Sequence, residues 1–332
     1  PKRFLGNIMT DAPTAPAGPY QDSAASGVWS LAEALSYTKG GLWPTTGNAI
    51  LGLFFGGQGP SGDTNLNVID FVKIASTGNA TDFGDIGATA AFTSACGSKT
   101  RSIVATGKYA GSTSNVIEYV TPQTTGNGTD FGNLTVARFW SAGASSNTRG
   151  LIAGGGEGNV IDYVTIASTG NASDFGDLTT SRDELGGASS PTRAVFAGGN
   201  NQNVIDYVTI ASTGNASDFG DLSNGTAGIA GCSSSTRALF GNVNGKVQYI
   251  TIASTGNATL FGELSVGNTV TDQMAASSEV RAVFAGGFKS SAYKNEIQYF
   301  TINTTGNSTD FGDLTVARNR NSGTSTAHGG IA

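Results

Sequence analysis

Residues 159 to 178 read NVIDYVTIASTGNASDFGDL, and residues 203 to 222 repeat those twenty residues without a change. A repeat of this kind outranks local propensity as a guide to fold, because each copy is one unit whose apolar surface has to be covered by its neighbours. Four diverged copies extend the series. Their Gly-Asn pairs are Gly78-Asn79, Gly126-Asn127, Gly256-Asn257 and Gly306-Asn307. Four residues after each Asn stands an aromatic, Phe83, Phe131, Phe261 or Phe311, just as Phe175 and Phe219 follow Asn171 and Asn215. The step between copies runs from 42 residues (Asn215 to Asn257) to 50 (Asn257 to Asn307). That is the length of a four-stranded propeller blade and too long for a leucine-rich or ankyrin unit.

Each period divides into four strand-like pieces separated by Gly, Ser and Asn clusters. In the third unit they are a, Val136 to Ala144; b, Arg149 to Ala153; c, Val160 to Ile166; and d, around Phe175 to Leu178. Piece c carries β-branched or aromatic residues on both alternating faces, as a sheet buried on both sides requires. Composition agrees with an all-β chain: 49 of 332 residues are Gly and only 13% are charged.

The same composition excludes several functions. A net charge of -6 with 18 scattered Lys and Arg gives no footprint for nucleic acid, and no run of 18 apolar residues offers a membrane-inserting helix. No apolar stretch follows Pro1-Lys2-Arg3-Phe4-Leu5, so no secretory signal is expected in this chain. The single histidine, His328, removes His-based triads and His-rich metal sites. Cys96 and Cys232 lack CxxC spacing and read as buried thiols on opposite blades, too far apart to bridge. No catalytic residue, cofactor or metal is expected. The carboxylates Asp174 and Asp177 lack the dense alternation of a calcium loop. Six Asn-x-Ser/Thr sequons at Asn79, Asn127, Asn171, Asn215, Asn257 and Asn307 read as Gly-Asn turns rather than glycosylation sites. Arg101, Arg149, Arg193, Arg237 and Arg281 recur at one position in five units and are expected to brace the scaffold by ion pairs or carbonyl contacts.

Gly154-Gly155 after piece b, Tyr163 on c and Phe175 near d resemble the pattern of kelch-type β-propellers, over residues 50 to 325. The chain departs from that pattern where Phe stands in place of the fourth-strand Trp in every unit. The glycine pair also becomes Thr106-Gly107 and Gly241-Asn242 in the second and fifth units. The first unit begins at piece b, Leu51 to Gly57, whereas Leu314 to Ser325 (LTVARNRNSGTS) matches Leu134 to Ser145 (LTVARFWSAGAS). The missing strand is therefore expected at the C-terminus, closing a six-bladed ring over residues 46 to 332 and hiding both sheet edges. A seventh blade would need strands from residues 1 to 45, which hold no copy of the repeat.

Residues 1 to 45 read as an attachment arm. Residues 11 to 27 are rich in Pro, Ala, Ser and Gly, and Ser30-Leu31-Ala32-Glu33 fits a capping box opening a short helix to about Tyr37. Trp29, Leu31, Leu35 and Trp43 are its docking residues. The stretch GVWSLAEALSYTKGGLWP (27 to 44) and the ending AHGGIA resemble structural proteins of tailed-bacteriophage virions. That resemblance implies a place on the particle exterior, other virion proteins as partners of the arm, and multiple copies.

In a propeller the b-to-c and d-to-a loops share one face. The c-to-d turns are nearly identical and look structural, whereas the b-to-c loops Gln58 to Asn67, Lys108 to Asn115 and Phe288 to Asn295 are long and belong to adjacent blades. They carry Lys108, Tyr109, Phe288, Lys289, Tyr293 and Lys294, and the d-to-a segments of the same face add Phe139, Trp140, Arg318 and Arg320. Aromatics interspersed with cations suit a polar partner, a host surface glycan or protein. The expectation is a non-enzymatic tail-fibre or adhesin propeller. A head decoration or connector with no ligand is the competing role. A glycosidase or lyase, which would need Asp183, Glu184 and Asp272 near the axis, ranks third.

Overall fold

The computed structural model describes residues 49–60, 64–156, 158–243, 245–265 and 270–327. The expected arm and helix, with Trp29, Leu31, Leu35 and Trp43, and also His328, lie outside these residues. Within the unit Ile50–Ala332, six antiparallel sheets follow one another, each with four core strands in the order a-b-c-d, and consecutive sheets pack as the blades of a propeller.

Blade three shows the pattern: a is Ala142–Ser145, b Arg149–Ala153, c Val160–Thr165 and d Ser173–Asp177. Strand a starts later than its expected beginning at Val136. Residues 136–141 are instead a crossing segment, because Arg138 turns inward to Asp162 and Trp140 adopts φ 59°, neither of which a pleated strand allows. The C-terminal strand Ser322–Ser325 pairs with Leu51–Phe55, Phe54 opposite Gly323, and so supplies strand a of blade one. The ring is closed by the last strand of the chain.

Three repeated devices hold the blades. First, each c-to-d turn adds itself to strand d of the preceding blade. Gly170 and Ala172 donate backbone N–H groups to Phe131 and Asn133, while Asn171 Oδ1 accepts from Asn133 N–H at 3.0 Å. The same three bonds recur at all six seams, including blade one on blade six through Asn79 and Asp313. The sequon asparagines thus serve as turn residues whose carbonyls latch neighbours. Second, the five recurring arginines are carbonyl braces. Arg149 lies over Tyr163 with 4.5 Å from guanidinium carbon to ring centroid, and donates to Ile210 O of the next blade at 2.8 Å. Arg281 closes the series on Ile74 O of blade one. Third, strands a crowd the axis, where Ser189 Oγ donates to Ser145 O and Ser233 Oγ to Ser189 O. Their backbones approach so closely that a Cβ on Gly143 would lie 2.0 Å from Ala95 O, which is why Gly, Ala and Ser dominate there.

The core lies between blades. Leu151 and Phe175 of blade three pack with Phe196 and Val208 of blade four, and equivalent clusters fill the other seams. Cys96 and Cys232 are buried free thiols in blades two and five, and burial pushes the Cys96 thiol up to about 12.

A β-bulge interrupts every c–d pairing just before one buried polar residue: Asp70, Glu118, Asp162, Asp206, Gln248 or Gln298. A bulge re-aims the next side chain, and here it aims it at the d-to-a segment. Asp70, Asp162 and Asp206 meet Arg318, Arg138 and Arg182 at 2.9–3.1 Å, all six side chains being at most 4% exposed. In blades five and six that arginine and the acid are both missing. Gln248 in blade five accepts from Ser223 N–H, and Gln298 in blade six from Ser265 N–H. Glu118 in blade two accepts instead from the Tyr109 hydroxyl at 2.7 Å and from Gly87 N–H.

Candidate functional site

At the b-to-c/d-to-a end of the ring, the six d-to-a segments place one residue each around the axis: Arg320, Phe92, Trp140, Glu184, Gly228 and Asp272. All six have φ between 54° and 66°. Backbone bonds link them sideways, from Phe92 N–H to Arg320 O, Trp140 to Phe92 O, Glu184 to Trp140 O, and Arg320 to Asp272 O, at 2.6–3.2 Å. This left-handed backbone suits Gly228, where a Cβ would stand 2.6 Å from Asp272 Oδ1. The other five residues carry side chains in a conformation that costs on the order of 1 kcal/mol or more each. The strain recurs at five positions, each with a large or charged side chain.

They enclose a cavity of about 70 Å³ walled by Phe92, Trp140, Glu184, Asp272, Gln273, Arg320 and Asn321, among others. On one side Phe92 and Trp140 meet edge to face with centroids 4.8 Å apart, and Phe139 backs both at 5.9 and 5.0 Å. Lys108 Nζ stands 5.2 Å from the Phe92 centroid and 5.0 Å from that of Phe139, and Arg320 lies 5.2 Å from Phe92. On the other side, Glu184 and Asp272 flank Gly228. Burial, and then the Asp272 and Asp183 carboxylates, push Glu184 up to about 7, with Arg320 opposing. Burial likewise raises Asp272, against Arg320 and the Thr271 hydroxyl. Arg320 bridges the two halves, 3.7 Å from Asp272 and donating to Gln58 Oε1 at 2.6 Å.

The structure therefore sorts the residues singled out from sequence. It brings Lys108, Phe139, Trp140 and Arg320 together at the axis. It removes Arg318, which is 0% exposed and bound to Asp70, and whose role is to neutralise that buried carboxylate. It turns Tyr109 toward the scaffold, its phenol sealing Glu118 and pushed up to about 12 by burial and by that carboxylate. Phe288, Lys289, Tyr293 and Lys294 form a separate group on a small blade-six hairpin (Phe288–Lys289 and Ala292–Tyr293). There Phe288 and Tyr293 pack edge to face at 5.1 Å, and Lys294 is 3.8 Å from Glu296. Backbone bonds between Phe288 and Thr271 hold this hairpin beside Asp272.

No family model matches the chain, and no curated protein matches it either. The site is therefore read from its own chemistry. Sequence reasoning missed Phe92, Gln273 and Asn321, and placed Glu184 and Asp272 only in the enzymatic alternative. The signal was present: when the copies are aligned on the residue ending strand a, the axial six fall in one column, five residues earlier. That column holds six different residue types.

Proposed function

We propose that this propeller is a non-enzymatic recognition module that binds a surface glycan through its b-to-c/d-to-a face, with the axial ring at the centre of the site. The observation that carries this reading is the convergence of Phe92, Phe139 and Trp140 with Lys108 and Arg320. Aromatic faces stack on sugar rings while charged groups bond their hydroxyls. The likeness of residues 27 to 44 and of the ending AHGGIA to phage virion proteins supports a place on a particle exterior, with residues 1 to 45 as the attachment to other virion proteins.

The test is binding of the full chain and of Trp140→Ala and Phe139→Ala to a glycan array and to candidate host cells. Both variants are expected to keep the β circular-dichroism spectrum and to lose at least tenfold in binding. Undiminished binding by both rejects the site. Glu184 and Asp272 beside the same aromatics favour a second reading, glycan cleavage, which predicts released oligosaccharide that disappears in Glu184→Gln. A third reading, head decoration without a ligand, predicts no glycan binding and immunogold label over the head rather than the tail tip.

A further inference from the structure

Two buried acceptors at the axial cavity have no partner. Gln273 and Asn321 are 6% and 8% exposed. Their amide nitrogens are engaged by Gly286 O (3.4 Å) and Met274 Sδ (3.0 Å), while Gln273 Oε1 and Asn321 Oδ1 lie buried at the cavity wall without a hydrogen-bond partner. An unpaired buried acceptor costs its full desolvation. Two carboxyl groups, Glu184 and Asp272, line the same space with one guanidinium, that of Arg320, which donates to Gln58 Oε1 and stands 3.7 Å from Asp272. The site therefore offers four acceptor groups, two of them carboxyl groups, and two aromatic walls. Its unpaired donors are Trp140 Nε1 and Arg320 Nε. An anion or phosphate would face two carboxyl groups and two amide oxygens here. The described residues contain no cluster of three or more His, Cys, Asp or Glu able to hold a metal ion, and the two aromatic walls suit an organic cation. At about 70 Å³ the cavity has room for a few water molecules rather than a sugar ring, which suits one projecting group of a larger ligand.

Resting on the glycan-recognition reading above, we infer that the cavity takes the protonated primary amine of an amino sugar, its N–H groups donating to Gln273 Oε1, Asn321 Oδ1 and the Glu184 and Asp272 carboxylates. Phe92 and Trp140 flank the ammonium and the adjoining C–H surface, where cation–π attraction adds to the charge pairing. An N-acetyl group in that position loses the positive charge and two of the three donors and adds a carbonyl that the acceptors repel.

The experiment is titration calorimetry of the full chain with a glucosamine hexamer and with its fully N-acetylated counterpart, on wild type, Glu184→Gln, Asp272→Asn and Trp140→Ala. The expected result is at least tenfold tighter binding of the free-amine oligomer by wild type. Either carboxylate variant abolishes that preference while keeping the circular-dichroism spectrum. Equal affinity for the two oligomers, with loss of both in Trp140→Ala, overturns the amine assignment and leaves glycan recognition standing. Binding of neither oligomer, with other glycans bound on the array, also overturns it, and no glycan bound at all overturns both readings. A lysine-rich peptide competing as well as the glucosamine oligomer overturns the sugar as the source of the amine.

Discussion

Glu184 shows how much a single residue of the axial ring gives up in stability. It holds φ 57° and a carboxyl raised to about 7 by burial and by neighbouring acids. A carboxyl whose folded value lies above its unfolded one takes up protons on folding. Its stabilising effect is complete below the unfolded value near 4.5 and is lost as pH rises through about 7. Glu184→Gln removes the titration. Relative to wild type, the variant is therefore expected to gain stability between pH 5 and pH 8, by about 1 kcal/mol once the full shift is discounted for solvent reaching this partly open site. Chemical denaturation at the two pH values measures it, and a difference that stays constant with pH would show that Glu184 does not titrate as described. Stability sacrificed where side chains converge supports the recognition role proposed for this site.

At the scale of one element, strand c and its bulge form a unit with the d-to-a segment that crosses it. The acid and the arginine occur together in blades one, three and four and are absent together in blades five and six, where Gln248 and Gln298 stand at the acid's position. This follows from the cost of an unpaired buried charge. Asp206→Gln leaves Arg182 fully buried without its carboxylate and is expected to cost about 3–5 kcal/mol. The double change Arg182→Thr with Asp206→Gln installs the blade-five pair Thr226 and Gln248, and is expected to recover most of that loss in a double-mutant cycle by urea denaturation. Additive losses would show that the two side chains do not form a unit. The two small hairpins on blades two and six, Lys108–Tyr109 with Ser112–Thr113 and Phe288–Lys289 with Ala292–Tyr293, are elements of a different kind. They are insertions into the b-to-c connection; that of blade two pairs with the sheet of blade one, Lys108 opposite Ala91, and places Lys108 against the axial aromatics.

For the whole molecule, the decisive step is closure. Ser322–Ser325 covers the edge of blade one, Arg318 reaches Asp70 from the same segment, and Thr326 Oγ1 accepts from Leu51 N–H at 3.0 Å. The seam between blades one and two is the one without an arginine brace. Leu51 stands where the other blades have Arg, and Pro122 where they have the accepting Ile. Removing residues 314 to 332 exposes a flat edge strand and strands the buried Asp70 carboxylate. The truncated chain is expected to lose its single cooperative melting transition and to associate on size-exclusion chromatography, as uncovered edges do. A monomer melting in one transition would show that the ring holds without its clasp.

The repeat of NVIDYVTIASTGNASDFGDL and its variants was enough to determine four-stranded blades, six of them, and closure by the C-terminal strand. Gly-Asn turns, alternating apolar positions and a displaced strand a are all local or periodic signals that survive in one dimension. The bracing arginines were legible for the same reason, since a contact made five times leaves five copies in the sequence. The axial site was not, because it is assembled from one residue per blade, about 45 positions apart, whose chemistry differs each time. Sequence suggested exposed Arg318 and Tyr109 and could not show that each is turned inward by a buried carboxylate on strand c. Only the tertiary structure decided that Phe92, Trp140, Glu184, Asp272 and Arg320 face one another, because only closing the ring brings the d-to-a segments of separate blades to a common axis.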